Sequence, residues 1–217
     1  VSMDKIARYF DYIEMFPEFF LPGRSLKIIT DRKEIEEYAL ANDTDMGVIH
    51  ENKYFAVVVD LLETGSGSRY ASTRIINRNG YNGVVIVPVY NEKIVLIQQF
   101  RHGTRQLEIE LPRGFSEPGL SPEQNAVKEL FEEIGGKTDK VESCGSIISD
   151  SGLTGSEVYV FICNIESIGA HNGEEGIEGY KLLSIEEIEE LIYKGIIRDA
   201  FTISAISKYK ILKKMRG

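Results

Sequence analysis

Apolar residues along the chain recur with two different periods, and the changes between them give the order of elements. Over residues 3 to 16, Ile6, Tyr9, Phe10, Ile13 and Phe16 fall at helical spacing and stop at Pro17, which predicts an amphipathic helix. An aromatic knot follows, Phe19-Phe20-Leu21-Pro22-Gly23, and residues 30 to 42 predict a second short helix capped by Asp31 or Thr30. Residues 54 to 63 and 69 to 78 are β-rich runs around Thr64-Gly65-Ser66-Gly67-Ser68, which predicts a hairpin. Asn79-Gly80 and Asn82-Gly83 then mark a soft domain boundary, with residues 1 to 80 before it and 81 to 217 after it. Beyond it, residues 84 to 90 and 93 to 100 are apolar strands joined by Asn91-Glu92, and residues 106 to 111 lead into a turn. Residues 141 to 149 and 158 to 165 are further strands, linked through Asp150-Ser151-Gly152-Leu153-Thr154-Gly155. Ser184 and Glu187 form a capping box for a helix reaching Lys194, and Asp199 caps a final helix with Phe201, Ala205, Ile206 and Tyr209 at buried spacing. The alternation of strands and helices predicts an α/β chain.

The most informative stretch runs from Gly114 to Gly136, where a glycine turn enters a helix. Ser121 suits the N-cap, Pro122 the first helical position and Gln124 the capping box, and Gly135 and Gly136 end the helix. At about 100° per residue, Ala126, Val127, Leu130, Phe131 and Ile134 share one face, and Glu129, Glu132 and Glu133 cluster on the other. Like charges three and four residues apart repel by roughly 0.2–0.5 kcal/mol per pair, so the triplet needs water or a counter-charge. Taken alone, such a triplet is a solvated acidic face. Oxygen-only donors with no His or Cys nearby favour Mg²⁺ or Mn²⁺ over zinc where a cation is bound.

Its flanks decide between these. Leu111-Pro112-Arg113-Gly114 opens the turn and KELFEEIGG, residues 128 to 136, closes the helix, and together they resemble the Nudix box, G-x5-E-x7-R-E-U-x-E-E-x-G-U with U a bulky aliphatic residue. Gly114, Glu129, Leu130, Glu132, Glu133 and Gly135 match; Leu120 stands where the box has its first glutamate, Lys128 replaces its arginine and Gly136 its last aliphatic residue. LIQQFR (96 to 101), ELPRG, DSGLTGSEVYVF (150 to 161) and the segment from Gly173 to Ile206 extend the resemblance, over roughly residues 50 to 212, to the ADP-ribose pyrophosphatase branch of that family.

The resemblance implies an α/β/α sandwich with a mixed sheet and an added N-terminal helix and β-hairpin segment, and a homodimer building its site from both chains. It implies a Mg²⁺- or Mn²⁺-dependent hydrolase of nucleoside-diphosphate sugars, ADP-ribose first, giving AMP and a sugar phosphate. Metal ligands would be Glu129, Glu132, Glu133 and the backbone carbonyl of Arg113; Arg101 and Arg113 would contact substrate. Glu132 is a candidate for catalysis, as is a loop base, Glu174 or, preferred by its spacing to Ile177, Glu175. Phe100, Tyr81 or an N-terminal aromatic residue could stack a base, and none is singled out. The losses at Leu120 and Lys128 support a competing expectation, a catalytically weakened nucleotide-binding or regulatory module.

Composition narrows the partners. With 217 residues, 42% hydrophobic, the chain is long enough to bury a full core. Its net charge of −9 argues against nucleic acid and membrane surfaces, which need a basic face, while leaving small anions reachable through cations. Cys144 and Cys163 lie in apolar settings and are expected to be free thiols, in keeping with a cytoplasmic protein. The N-terminus interleaves Asp4, Lys5 and Arg8, so no signal-peptide core is expected there.

Overall fold

Helix α1 (Met3–Met15) is followed by a 3-10 turn (Pro17–Phe20), β1 (Leu26–Ile29), α2 (Arg32–Asn42), β2 (Gly47–Glu51), β3 (Phe55–Thr64) and β4 (Arg69–Asn77) in a computed structural model that describes residues 3–78, 83–169 and 176–216. These elements form one unit together with Asp150–Gly155; the remainder of the chain forms a second. In the first, β3 is the central strand. It pairs antiparallel with β4 from Phe55 opposite Asn77 to Glu63 opposite Arg69, as the hairpin pattern predicts, and along its other edge with β2 and then β1. Strands β1 and β2 were not legible, being too short to show a period. Asp31 caps α2, its side chain accepting from the Glu34 N–H at 3.0 Å.

Helix α1 buries a slightly different face from the one predicted. Ile6, Tyr9 and Tyr12 are fully buried, whereas Phe10, Ile13 and Phe16 are only partly covered. The reason is polar, since each tyrosine enters the core with its hydroxyl satisfied. Tyr9 donates to Asp60 at 2.6 Å and Tyr12 to Glu51 at 2.8 Å. Asp60 also receives the Arg74 fork at 2.7 and 3.1 Å, and the same guanidinium donates to the Phe19 carbonyl at 2.5 Å and lies over the Phe20 ring. Burial first, then the Asp60 charge, pushes the Tyr9 phenol above its usual range. Phe16, Phe19 and Phe20 pack against this unit's own core rather than forming an exposed patch, so a dimer is left resting on the family resemblance and not on this segment. Residues Asp150–Gly155 are more than a linker between strands: the Ile75 N–H donates to the Leu153 carbonyl at 2.8 Å, and Ile75 bridges to Thr154 in parallel.

The second unit contains β5 (Gly83–Tyr90), β6 (Lys93–Arg101), β7 (Gln106–Glu110), β8 (Arg113–Gly114), α3 (Pro122–Ile134), β9 (Val141–Ile148), β10 (Glu157–Asn164), β11 (Ile177–Leu183), α4 (Ile185–Tyr193) and α5 (Ala200–Arg216). Its sheet runs β11-β6-β5-β10-β9 and is mixed, β5 and β10 being parallel and the other pairs antiparallel. β5 is apolar at nearly every position because both its faces are covered. Val84 and Ile86 meet Ala126, Leu130 and Ile134 of α3, while Val85 and Val87 meet Ile188 of α4 and Ala205, Ile206 and Tyr209 of α5. The result is an α/β/α sandwich with a mixed sheet. Cys144 and Cys163 are free, and burial pushes the Cys163 thiol up to about 12. No helix among the described residues is long and apolar enough to cross a membrane.

One departure from a regular sheet positions everything that follows. β5 and β6 pair only at their joined ends, Val89 with Ile94 and Tyr90 with Lys93, and then separate. β7 pairs with the far end of β6 and β8 with the start of β5, and the Ile86 N–H donates to the Pro112 carbonyl at 2.9 Å. The Leu111–Gly114 turn is thereby threaded into the opening in the sheet.

The polar anchor of the first unit is directly testable. Asp60→Ala strands Tyr9 and Arg74 and should cost about 3 kcal/mol, as breaking a buried pair does, whereas Asp45→Ala, which removes an exposed pair with Lys5, should leave stability essentially unchanged. Urea unfolding of the two variants makes the comparison.

Candidate active site

α3 starts where its sequence requires. Ser121 accepts from the Gln124 N–H at 3.2 Å, the Gln124 side chain accepts from the Ser121 N–H at 2.9 Å, and Gly135, at φ 61°, closes the other end in the left-handed region. The division into faces is less clean than the periodicity predicts. Ala126, Leu130 and Ile134 are buried, but Val127 and Phe131 face solvent while Asn125 and Glu133 are buried. Because α3 lies against β5 and β8, the covered arc is centred between Ala126 and Leu130, and Glu133 falls inside it.

The three helix glutamates have distinct surroundings. Glu129 packs against the turn so closely that a Cβ on Gly114 would lie 2.1 Å from its carboxyl carbon and 2.3 and 2.4 Å from its oxygens. Only glycine permits that approach. Glu133, 4% exposed, accepts the backbone N–H of Arg113 at 3.0 Å through Oε2. Glu132 turns away to Lys128, which donates to it at 2.6 Å and also reaches Glu117 at 3.2 Å. Glu132 and then Glu117 hold the Lys128 ammonium above its usual range against the opposing effect of burial. Glu129 and Glu133 therefore converge on Arg113 and Gly114, and no three His, Cys, Asp or Glu residues among those described are gathered closely enough to hold a metal ion.

The donors nevertheless suit a hard cation. Carboxylate oxygens meet the main chain at a glycine that leaves space where a side chain would otherwise project, and no soft ligand is nearby. Leu120 does not fill an apolar pocket. It is 36% exposed, with its N–H donating to the Glu117 carbonyl at 3.2 Å. Glu174, Glu175 and Tyr81 lie outside the described residues.

Arg113 also faces a second feature, a cleft of about 580 Å³ lined by Arg101, Gly103, Thr104, Glu108, Glu110, Arg113, Arg198, Asp199 and Ala200. Arg101 comes from the end of β6 and pairs with Glu110 at the end of β7. Arg113 reaches Glu110 at 3.4 Å and Asp199 at 3.6 Å and lies 4.7 Å above the Phe201 ring. Arg198 donates to Glu108 at 2.7 Å and to Gln106 at 2.6 Å, which holds the Glu108 carboxyl below its usual range despite burial. Asp199 caps α5 as predicted, accepting from the Thr202 N–H at 2.8 Å. Sequence reasoning passed over Glu108, Glu110 and Arg198 as parts of this site. A signal was present in QLEIE, whose period of two puts Glu108 and Glu110 on one face of a strand and so aims two charges the same way. Phe100, a possible stacking ring, is 38% exposed and lies beneath the Arg105 guanidinium at 5.0 Å.

The family model described as the NUDIX domain matches residues 80–202. The chain belongs to the Nudix family. Among curated relatives, an ADP-sugar pyrophosphatase of Mus musculus is 30% identical over 138 residues, covering 59% of this chain and 63% of that protein, so the chain spans less than two thirds of its length. An ADP-ribose pyrophosphatase of Bacillus subtilis (strain 168) is 27% identical over 190 residues, 85% of this chain and 98% of that protein. A crystal structure of an ADP compounds hydrolase superposes with a TM-score of 0.70 over 80% of this chain and 94% of that one; at 19% identity the likeness is one of fold. The chain is thus a member of the Nudix hydrolase family with a fold to match.

The contact at Gly114 predicts a stability effect. Gly114→Ala makes the Glu129 carboxylate swing aside and should cost about 0.5–1.5 kcal/mol, the cost of a side chain forced off its rotamer, more than Gly65→Ala, which meets open space. Thermal unfolding of both variants provides the measurement.

Proposed function

We propose that this Nudix hydrolase cleaves the diphosphate bridge of nucleoside-diphosphate sugars, ADP-ribose first, releasing AMP and a sugar phosphate with Mg²⁺ or Mn²⁺. The observation that carries this reading is the double role of Arg113. Its backbone meets Glu133 and, with Gly114, the carboxylate of Glu129, while its guanidinium lines the arginine-rich cleft. One residue thus joins a site suited to a cation and a site suited to phosphate. The relatives that hydrolyse ADP-ribose and ADP-sugars support the same substrate class.

In this proposal Arg101 and Arg113 bind the diphosphate. Among the described residues the Nε donors of both are buried without a hydrogen-bond partner, so each has capacity for a ligand oxygen. Glu129, Glu132, Glu133 and the Arg113 carbonyl would hold the cation, whose chemistry would be to spread the charge on the phosphoryl oxygens and make water more acidic. Water attacks one phosphorus, the bridging P–O bond breaks, and Glu175, or its neighbour Glu174, takes the proton lost by the water. Lys128 does for Glu132 what the family's arginine does for the box glutamates, bracing it through a single ammonium rather than a planar fork.

The decisive assay offers ADP-ribose, ADP-glucose, UDP-sugars, NADH and diadenosine polyphosphates with Mg²⁺ and measures AMP or phosphate release. ADP-ribose is expected to be cleaved fastest, with activity abolished by EDTA. Glu129→Gln and Glu133→Gln should each lower kcat by at least about a hundredfold, the effect of several kcal/mol of lost charge stabilisation. The fold should survive, because glutamine keeps the shape of the side chain and an acceptor for the Arg113 N–H. A wild-type protein that binds ADP-ribose but releases no AMP from any of these compounds would favour the regulatory module instead.

A further inference from the structure

Glu110 is the most deeply buried charge lining the cleft. It is 1% exposed, and two arginines, Arg101 and Arg113, both reach its one carboxylate. Burial holds the Glu110 carboxyl above its usual range, against the opposing pull of Arg101 and then Arg113. A charge kept in so unfavourable a place calls for a reason beyond stability, since an apolar residue of similar size would pack there at less cost. Its two partners are held to different degrees. Arg113 is also fixed by Asp199 and the Phe201 ring, and Asp199 is tied to the Thr202 N–H and hydroxyl at 2.8 Å each, whose Oγ1 in turn accepts the Leu111 N–H at 2.9 Å. Arg101 ends its strand beside a loop, and its ion pair is with Glu110.

We propose that Glu110 is the positioning residue of the cleft, sharing one carboxylate between Arg101 and Arg113 so that both guanidinium groups are held together for the two phosphates of a diphosphate ligand. The inference rests on the reading above that the cleft takes the diphosphate. Pre-orienting two long side chains removes part of the entropy cost that the ligand would otherwise bear.

The test uses the full chain and two readouts: calorimetric binding of inorganic pyrophosphate without metal, and kcat and KM for the best substrate of the panel. Glu110→Gln should raise the pyrophosphate Kd and the KM by about tenfold while kcat changes less than about threefold, and Glu110→Asp, which keeps the charge on a shorter arm, should recover part of the affinity. Should the glutamine variant fail to fold, the aspartate variant alone is expected to show an intermediate rise in Kd, and a wild-type Kd there would overturn the inference. Unchanged or tighter pyrophosphate binding in Glu110→Gln would reduce Glu110 to a counter-charge; a lowered melting temperature with wild-type Kd would make it a structural residue only. Arg101→Ala separates the two readings. If it weakens binding while Glu110→Gln does not, the cleft stands and the role of Glu110 falls; if it too binds pyrophosphate like wild type, the cleft reading falls and the inference with it.

Discussion

The Glu129 carboxylate occupies the volume that a Cβ of residue 114 would fill, and this contact brings an acid of α3 directly onto the Leu111–Gly114 turn. A side chain at that position would displace the Glu129 carboxylate from the turn, leaving the bond from the Arg113 N–H to Glu133 as the remaining acid contact there. The approach also needs an opening in the sheet, which the separation of β5 and β6 provides, and a helix start set by the reciprocal bonds of Ser121 and Gln124. Backbone, cap and glycine act together, so the acidic side of the site is built by main-chain geometry as much as by the acids themselves.

Electrostatics completes the arrangement. A chain of net charge −9 repels any anionic ligand at long range, and that repulsion has to be reversed locally. The cleft gathers Arg101, Arg113 and Arg198 and matches them to Glu110, Asp199 and Glu108 from below and from the side. Each guanidinium is thus oriented by a carboxylate, which favours directed hydrogen bonds over a diffuse positive field. The same tactic recurs in the first unit, where the buried Tyr9 and Asp60 with Arg74, and separately the buried Tyr12 with the part-buried Arg8 and Glu51, tie helix α1 to its sheet.

Much of the fold and part of the site could be recognised in the sequence, because they depend on interactions spanning a few residues. The helical periods of α1 and α3, the caps at Asp31, Ser121, Ser184 and Asp199, the hairpin of β3 and β4, and the apolar run of β5 are local consequences of side-chain spacing and turn chemistry. So is the box itself, whose residue order along one turn and one helix is enough to point to the family.

What only the tertiary structure decided involves groups distant along the chain. The periodicity of α3 gave an apolar face and an acidic face, but which arc is covered depends on how the helix settles over β5 and β8; that placement buried Glu133, exposed Phe131 and left Glu132 to Lys128. Periodicity aligned Glu108 with Glu110, but nothing local says that Arg198, 90 residues away, meets the first, or that Arg101 and Arg113 share the second. Strands β1 and β2, and the addition of Asp150–Gly155 to the first unit, likewise depend on partners across the fold. The sequence determined the elements and the acids of the box because local hydrogen bonding and burial period set them, whereas the pairing of buried charges is settled by packing and desolvation, which exist only once the chain has closed on itself.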